Sequence, residues 1–294
     1  MAIEPGLLEA AEGFLGSSLR SVVELEGGYE SLVFRAEGES GPLVLHVSPP
    51  WRTRAELAWV HTVVRRAHER VPQAVQPIEC GSETIFGWQD RLVTLFPYIE
   101  GETLNREDPK LRDEAGRVLA SIHVALLNWT GGPRPDSGPG RPTLPAGPPA
   151  LEDHDLDRWW ESVVDIGLAT GATHGDYYRG NLLCRAGRIS GVVDWHDAAL
   201  GPLVLELAGA TFEFCKNDDH ILQADRAREF LRAYLNAGGP VPDHELEMLV
   251  PFIRWWVRRD ARWSLACTGG SQSAYARKQI EAFADLAHVR IDLR

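Results

Sequence analysis

The stretch "ATHGDYYRGNLLCRAGRISGVVDWHDA", Ala172 to Ala198, decides the fold. It reads as a loop, a strand from Leu182 to Cys184, a turn at "RAGR", a strand from Ile189 to Val193 and a second loop. A hairpin of this length returns the chain to where it began. Asp176 and Asn181 on the first loop and Asp194 at the end of the second strand then converge, although 18 residues separate the two aspartates. Phosphoryl transfer calls for such a trio, because its transition state is governed by charge and position rather than by covalent chemistry. Asp176 would accept a hydrogen bond from the attacking hydroxyl. Asn181 and Asp194 would hold Mg²⁺, which prefers a few hard oxygen ligands from protein. The plainer alternative has Asp176 and Asn181 only capping loops, but H-G-D-x-x-x-x-N followed by a hairpin and an aspartate, in that order, favours the chemistry.

Upstream, "SVVELEGGYESLVFRAEGESGPLVLHVS" gives three short apolar runs broken at Gly27-Gly28 and at "EGESGP", an antiparallel meander. A helix follows with Leu57, Val60, Val64 and Ala67 on one face, and "RLVTLFPYI" reads as another buried strand. These make a small α+β lobe over residues 1–101. From residue 102 the pattern is helical: Leu111, Ala115, Val118, Leu119, Ile122 and Leu126 mark one face of a long helix, and outside the segment from 172 to 194 helical spacing persists to the end. Within this second lobe, 102–294, the stretch 131–150 holds five Gly and seven Pro in twenty residues and reads as a long loop.

Composition narrows the function. The net charge of −12 disfavours a nucleic-acid partner, since phosphate backbones are bound by clustered Lys and Arg. Glu4, Glu9 and Glu12 stand where a signal peptide would carry positive charge, and no apolar run is long enough to cross a bilayer, so a cytoplasmic protein without a membrane partner is expected. The four cysteines, at 80, 184, 215 and 267, form no C-x-x-C pair and read as reduced core residues.

With "HGDYYRGN" as catalytic loop, "VVDWHDA" as metal segment, "GPLVLELA" and "RVLASIH" as the helices after and before, and "FPYIEGETL" as hinge, the chain resembles the aminoglycoside phosphotransferase family. That family is distantly related to the protein kinases and includes choline and homoserine kinases. The resemblance implies an α+β, bilobal protein-kinase-like fold, with a small antiparallel-sheet lobe and a larger, mainly helical one. It implies ATP or GTP in the cleft, Tyr98 of the hinge among the nucleotide contacts, and a small-molecule hydroxyl acceptor held by the helical lobe. His174 would orient the loop, and Glu206, where relatives commonly have Asp, would brace it. Arg179 would reach the transferring phosphoryl group or pair with a nearby acid.

The chain departs from the family at one point. Relatives usually carry a lysine on the third strand, touching the phosphates and paired to a glutamate on the next helix. Here the strand is "LVLHVS", which puts His46 at the lysine's position, while Glu56 fits the glutamate. A neutral imidazole donates one hydrogen bond and carries no charge, whereas an ammonium has three donors and a positive charge. Three readings follow: His46 is held protonated by Glu56 and the phosphates, or Arg52 or Arg54 supplies the cation, or nucleotide binding is lost. Gly27 and Gly28 either touch phosphate or form a plain turn.

On the acceptor side, residues 251–278 hold six basic side chains against one acid, Asp260. Trp255, Trp256, Arg258 and Arg259 either pack and rim the helix or line the acceptor pocket, opposite Trp159 and Trp160. An Arg-lined pocket would suit a neutral or carboxylate-bearing acceptor rather than a polyamine. The reading is a small-molecule O-phosphotransferase. Its rivals are a nucleotide-binding module without turnover, and a metal-dependent phosphohydrolase with His174, Asp176, His196 and Asp197 as ligands.

Overall fold

A computed structural model describes residues 6–25, 31–139, 141–164, 166–268, 270 and 272–292. Gly27 and Gly28 lie outside the described residues. The chain divides into two units, Met1–Glu100 with Gly131–Arg141, and Gly101–Thr130 with Pro142–Arg294. The sequence reading assigned all of 131–150 to the second lobe; residues 131–141 instead belong with the first unit, because their hydrogen bonds run to residues 51–59.

The first unit comprises α1 (Leu7–Leu15), β1 (Arg20–Glu24), β2 (Leu32–Gly38), β3 (Gly41–Val47), α2 (Arg54–His68), β4 (Ile85–Trp88) and β5 (Arg91–Pro97). The strands form one antiparallel sheet in the order β1-β2-β3-β5-β4. Alternation does the sorting. Phe34 and Ala36, Leu43, Leu45 and Val47, and Val93 and Leu95 point to one face and bury there against Leu7 and Ala11 of α1. His46 takes the opposite face, in register with Val33 and Thr94, and is itself buried. The α2 stripe of Leu57, Val60, Val64 and Ala67 is buried as its spacing requires.

The second unit comprises β6 (Glu102–Thr103), α3 (Pro109–Leu126), α4 (His154–Val164), β7 (Thr170–Thr173), β8 (Leu182–Arg185), β9 (Arg188–Val192), β10 (Ala199–Pro202), α5 (Leu203–Cys215), α6 (Ala224–Asn236), α7 (Asp243–Leu246), α8 (Leu249–Cys267) and α9 (Ala274–Asp285). Asp108 caps α3 with Pro109 at its first position, and all six residues of the α3 stripe are buried. The β8–β9 hairpin turns on Ala186 and Gly187, both at positive φ, as a two-residue connection of right-twisted strands demands. Two pairings were not read from sequence: β6 adds to β8, and β7 pairs antiparallel with β10, tying the start of the catalytic loop to the segment after the metal loop.

Helix α5 is buried on nearly every side. Its close partner is α8, where Gly209 meets the Trp256 indole: a Cβ at Gly209 would lie 2.3 Å from Trp256 Nε1. Among the described residues no helix is long and apolar enough to cross a membrane, and the four cysteines are free thiols. Replacing Gly209 by Val overpacks this seam. The expected cost is about 2–3 kcal/mol, visible in thermal unfolding as a melting temperature several degrees below wild type.

Candidate active site

His174 follows β7, and its ring is fully buried. Nε2 donates to the Val193 carbonyl (3.0 Å) and Nδ1 accepts from the Asp176 amide (3.3 Å), so both nitrogens are committed to the backbone and the tautomer is fixed. Burial holds its pKa below the ordinary histidine value, keeping the ring neutral. Such a histidine orients the loop and is no metal ligand, which removes one member of the phosphohydrolase set.

Gly175 sits at φ +86°, and a Cβ there would come 1.9 Å from the Asp197 carbonyl oxygen. The catalytic loop and the turn after β9 therefore touch backbone to backbone, and only glycine permits it. Asn181 completes the junction. Its Nδ2 donates to both the carbonyl and Oδ2 of Asp176, each at 2.9 Å, while its own carbonyl accepts from the Val193 amide at 2.9 Å. Asn181 is thus joined through its backbone to Val193, the residue before Asp194. Asp194 lies in the left-handed region at φ 60°, which aspartate tolerates better than most residues, and its carboxylate is half exposed with Oδ1 2.9 Å from His196 Nδ1. His196 is buried.

The Asp176 carboxyl is lifted well above its ordinary pKa by burial first, and then by Asp194, Asp197 and Asp260; Asn181 pulls the other way. Acids gathered around a buried carboxyl are stabilised by a dication. The oxygen donors of Asn181 and Asp194 fit Mg²⁺ rather than a softer metal. Arg179 is exposed on a short 3₁₀ turn, and its carbonyl anchors Leu104.

The loop is braced from behind. The Tyr177 hydroxyl donates to the Ala115 carbonyl in α3 at 2.9 Å. Glu206 of α5 accepts the Gly175 amide on Oε1 (2.7 Å) and contacts His123 Nε2 through Oε2 (3.0 Å), and His123 Nδ1 meets the Tyr234 hydroxyl at 2.8 Å. Burial opposes ionisation of Glu206, but the His123 contact and the Gly175 amide outweigh it and hold the carboxyl below its ordinary value. Sequence reasoning placed Glu206 but missed His123 and Tyr234. A buried histidine and tyrosine at the inner stripes of two helices were the available signal.

In the first unit, Glu56 is fully buried as the third residue of α2. Its Oε1 accepts from Arg52 Nη1 (2.7 Å), Arg134 Nη2 (2.5 Å) and Ser137 Oγ (2.8 Å), and Oε2 closes a capping box with the Thr53 amide. Burial raises its pKa, but Arg52, Ser137 and Arg134 together carry it below the ordinary value. Arg52, one of the cations the sequence offered beside this carboxylate, is hydrogen-bonded to it. Arg54 turns away to Glu83 and the Ile85 carbonyl. The Tyr98 amide is committed to the Pro42 carbonyl and its ring carries the Arg35 guanidinium at 4.3 Å, so a contact with a base would fall to its carbonyl.

Of the two readings of the α8 arginines and tryptophans, packing is the one that the contacts of Arg258 fit. Arg258 is 1% exposed, donates to Asp157 of α4 at 2.6 Å and lies over the Trp255 ring, which stacks on Trp160 at 4.2 Å. Arg254 likewise pairs with Asp153. This face of α8 is packing against α4, and only Arg259 of the group is exposed. Positions 256 and 260, one turn apart, share another face. There Asp260 accepts from the Tyr275 hydroxyl (2.8 Å) and Gln279 Nε2 (2.5 Å), and its charge reaches Asp176.

Residues 21–246 match the model of the phosphotransferase enzyme family. The chain belongs to that family. It is 29% identical over 174 residues to a homoserine kinase of Methylobacillus flagellatus, a match over 55% of this chain and 54% of that protein, so it spans about half the length of this relative. The fold is that of solved kinases. A ternary complex of aminoglycoside phosphotransferase APH(4)-Ia with AMP-PNP and hygromycin B aligns with a TM-score of 0.64 at 18% identity, covering 97% of this chain and 99% of that one. A microcompartment-associated aminopropanol kinase aligns at 0.66 and 17% identity over 92% and 90%. The α+β, kinase-like fold expected from the sequence is the fold of these family members.

Because the Glu206 carboxyl is depressed in the folded chain, its contribution to stability is present above the ordinary glutamate pKa and is lost as pH falls through the folded value. Glu206→Gln should cost about 2–3 kcal/mol at neutral pH and flatten the acid limb of stability. Urea titrations of both proteins at pH 7 and at pH 4 check both.

Proposed function

We propose that this protein transfers the γ-phosphate of ATP or GTP to the hydroxyl of a small molecule. The observation that carries the reading is the junction at Asn181, whose side chain holds Asp176 and whose backbone holds Val193, bringing Asp176 and Asp194 to one place. Family membership supports it, as does the AMP-PNP in a structural neighbour.

Asp176 receives the acceptor hydroxyl. A carboxyl lifted above its ordinary range by burial and by neighbouring acids is a better proton acceptor, and the Asn181 amide fixes the direction in which Oδ2 points. Asn181 and Asp194 would hold Mg²⁺, which when bound neutralises phosphate charge. Arg52, held by Glu56, supplies the guanidinium for the phosphates where a strand lysine serves elsewhere in the family, and its own stacking on Trp51 at 4.3 Å keeps it in place. Arg179, exposed beside the loop, is free to swing toward the transferring group.

For the acceptor, Asp260 and Asp197 act on Asp176. Acids flanking the loop favour an acceptor that carries an amine beside its hydroxyl. The names of the relatives, homoserine kinase and aminopropanol kinase, support that class, and homoserine is the first acceptor to test.

Asp176→Ala should lower turnover by about a thousandfold or more while leaving nucleotide affinity within about twofold; Asp194→Ala should lose the Mg²⁺-dependent part of nucleotide binding. Nucleotide consumption measured with homoserine, amino alcohols and aminoglycosides as acceptors reads the first, and calorimetric titration the second. Wild-type turnover in the Asp176 variant would exclude the assignment. Since a guanidinium stays charged throughout, nucleotide affinity should be flat from about pH 6 to 8.5. A loss of affinity on passing through the histidine range would return the role to His46.

A further inference from the structure

We propose that Arg258 and Arg262 of α8 form a binding site for a small oxyanion, a phosphate or a carboxylate, on the face of the helix that meets α4. The site does not depend on the transfer chemistry proposed above.

Positions 254, 258 and 262 recur at four-residue spacing and share one face of α8, while Asp260 stands on another. Two acids of α4 and its approach are hydrogen-bonded along this face. Arg254 Nη2 donates to Asp153 at 2.7 Å, and Arg258 Nη2 donates to Asp157 at 2.6 Å. Arg262 makes no hydrogen bond or ion pair among the described residues. Three guanidiniums therefore stand against two carboxylates, a local excess of positive charge in a protein whose net charge is −12.

Two donors on this face are buried without an acceptor. Arg258 is 1% exposed, yet its Nη1 has no hydrogen-bond partner; the Trp255 ring, 4.5 Å from its Cζ, meets the face of the guanidinium and not its edge. One turn on, Arg262 is only partly exposed, and its Nε is likewise buried and unpaired. Gly147 covers that nitrogen at φ +87°: a Cβ there would lie 3.3 Å from Arg262 Cγ and 3.5 Å from Nε. The stem of Arg262 is thus packed against the turn before Leu151, while its terminal nitrogens are uncommitted.

Burial first, and then Arg258, hold the Arg262 pKa below the ordinary arginine value; Asp157, already bonded to Arg258, pulls the other way. An anion between the two guanidiniums would meet unpaired donors of both and offset the excess charge. Phosphate and carboxylate match that geometry, because a planar guanidinium edge bonds two of their oxygens at once. The ligand is small, since a side chain as deeply buried as Arg258 can be reached by an oxygen or two and no more.

Calorimetric titration of the full chain with sodium phosphate and, separately, with sodium succinate, at constant ionic strength, tests the site. At least one anion should bind with a Kd of about 1 mM, and the tighter of the two names the source. Arg262→Ala should weaken that binding about tenfold or more, yet melt within about 2 °C of wild type in anion-free buffer, since no partner is lost. Arg262→Lys keeps the charge without the planar fork and should bind about threefold to fivefold more weakly than wild type. Arg259→Ala makes the same change in net charge at the exposed neighbouring position and should leave the Kd within about twofold. Failure of both anions to bind at up to about 20 mM, an Arg262→Ala variant that binds as wild type does, or an Arg259→Ala variant as weak as Arg262→Ala overturns the site.

Discussion

The catalytic loop depends on one buried anion. The Glu206 carboxylate reaches from α5 to the Gly175 amide with one oxygen and to His123 of α3 with the other, so two helices and the loop that carries Asp176 meet at a single group. A charge so deeply buried is tolerated only while its partners stay in place. The same condition keeps the loop where it is. Relative to aspartate, the extra methylene of glutamate lengthens the reach from the helix, and the Tyr234 hydroxyl behind His123 completes the chain.

The first unit solves a comparable problem with different chemistry. Glu56 is also a buried carboxylate at a helix terminus, but its partners are permanent cations. Histidine stands on the third strand, and Arg52, just before the helix, meets the Glu56 carboxylate. Arginine suits that place because its planar fork can meet a carboxylate and lie on Trp51.

The loop and hairpin from His174 to Asp194 were legible in the sequence because their geometry is local. A hairpin of fixed length brings Asp176, Asn181 and Asp194 together whatever the rest of the chain does, and period-two and period-3.6 patterns placed the sheet and the long helices. What could not be read depends on which face of a helix meets which neighbour. Arg258 and Arg259 are adjacent in sequence, yet one is clamped between Asp157 and Trp255 while the other is exposed. The partners of Glu56 were illegible for a related reason, since Arg134 and Ser137 come from a Pro/Gly-rich stretch with no periodicity to place it. The short β6, β7 and β10 strands are two to four residues long, below what alternation can signal.

The first unit is not continuous in sequence: the chain leaves it after Glu100 and returns for Gly131–Arg141. On the ribosome, a nascent chain that has just completed β5 therefore holds Glu56 with Arg52 but without Arg134 or Ser137. At 5–20 residues per second, the 41 residues from 101 to 141 take roughly 2–8 s to add. During that interval the sheet and α2 are complete in sequence while their buried carboxylate lacks two of its three side-chain partners. Synthesis thus sets an order of assembly in which α3 is made before the unit that precedes it is finished.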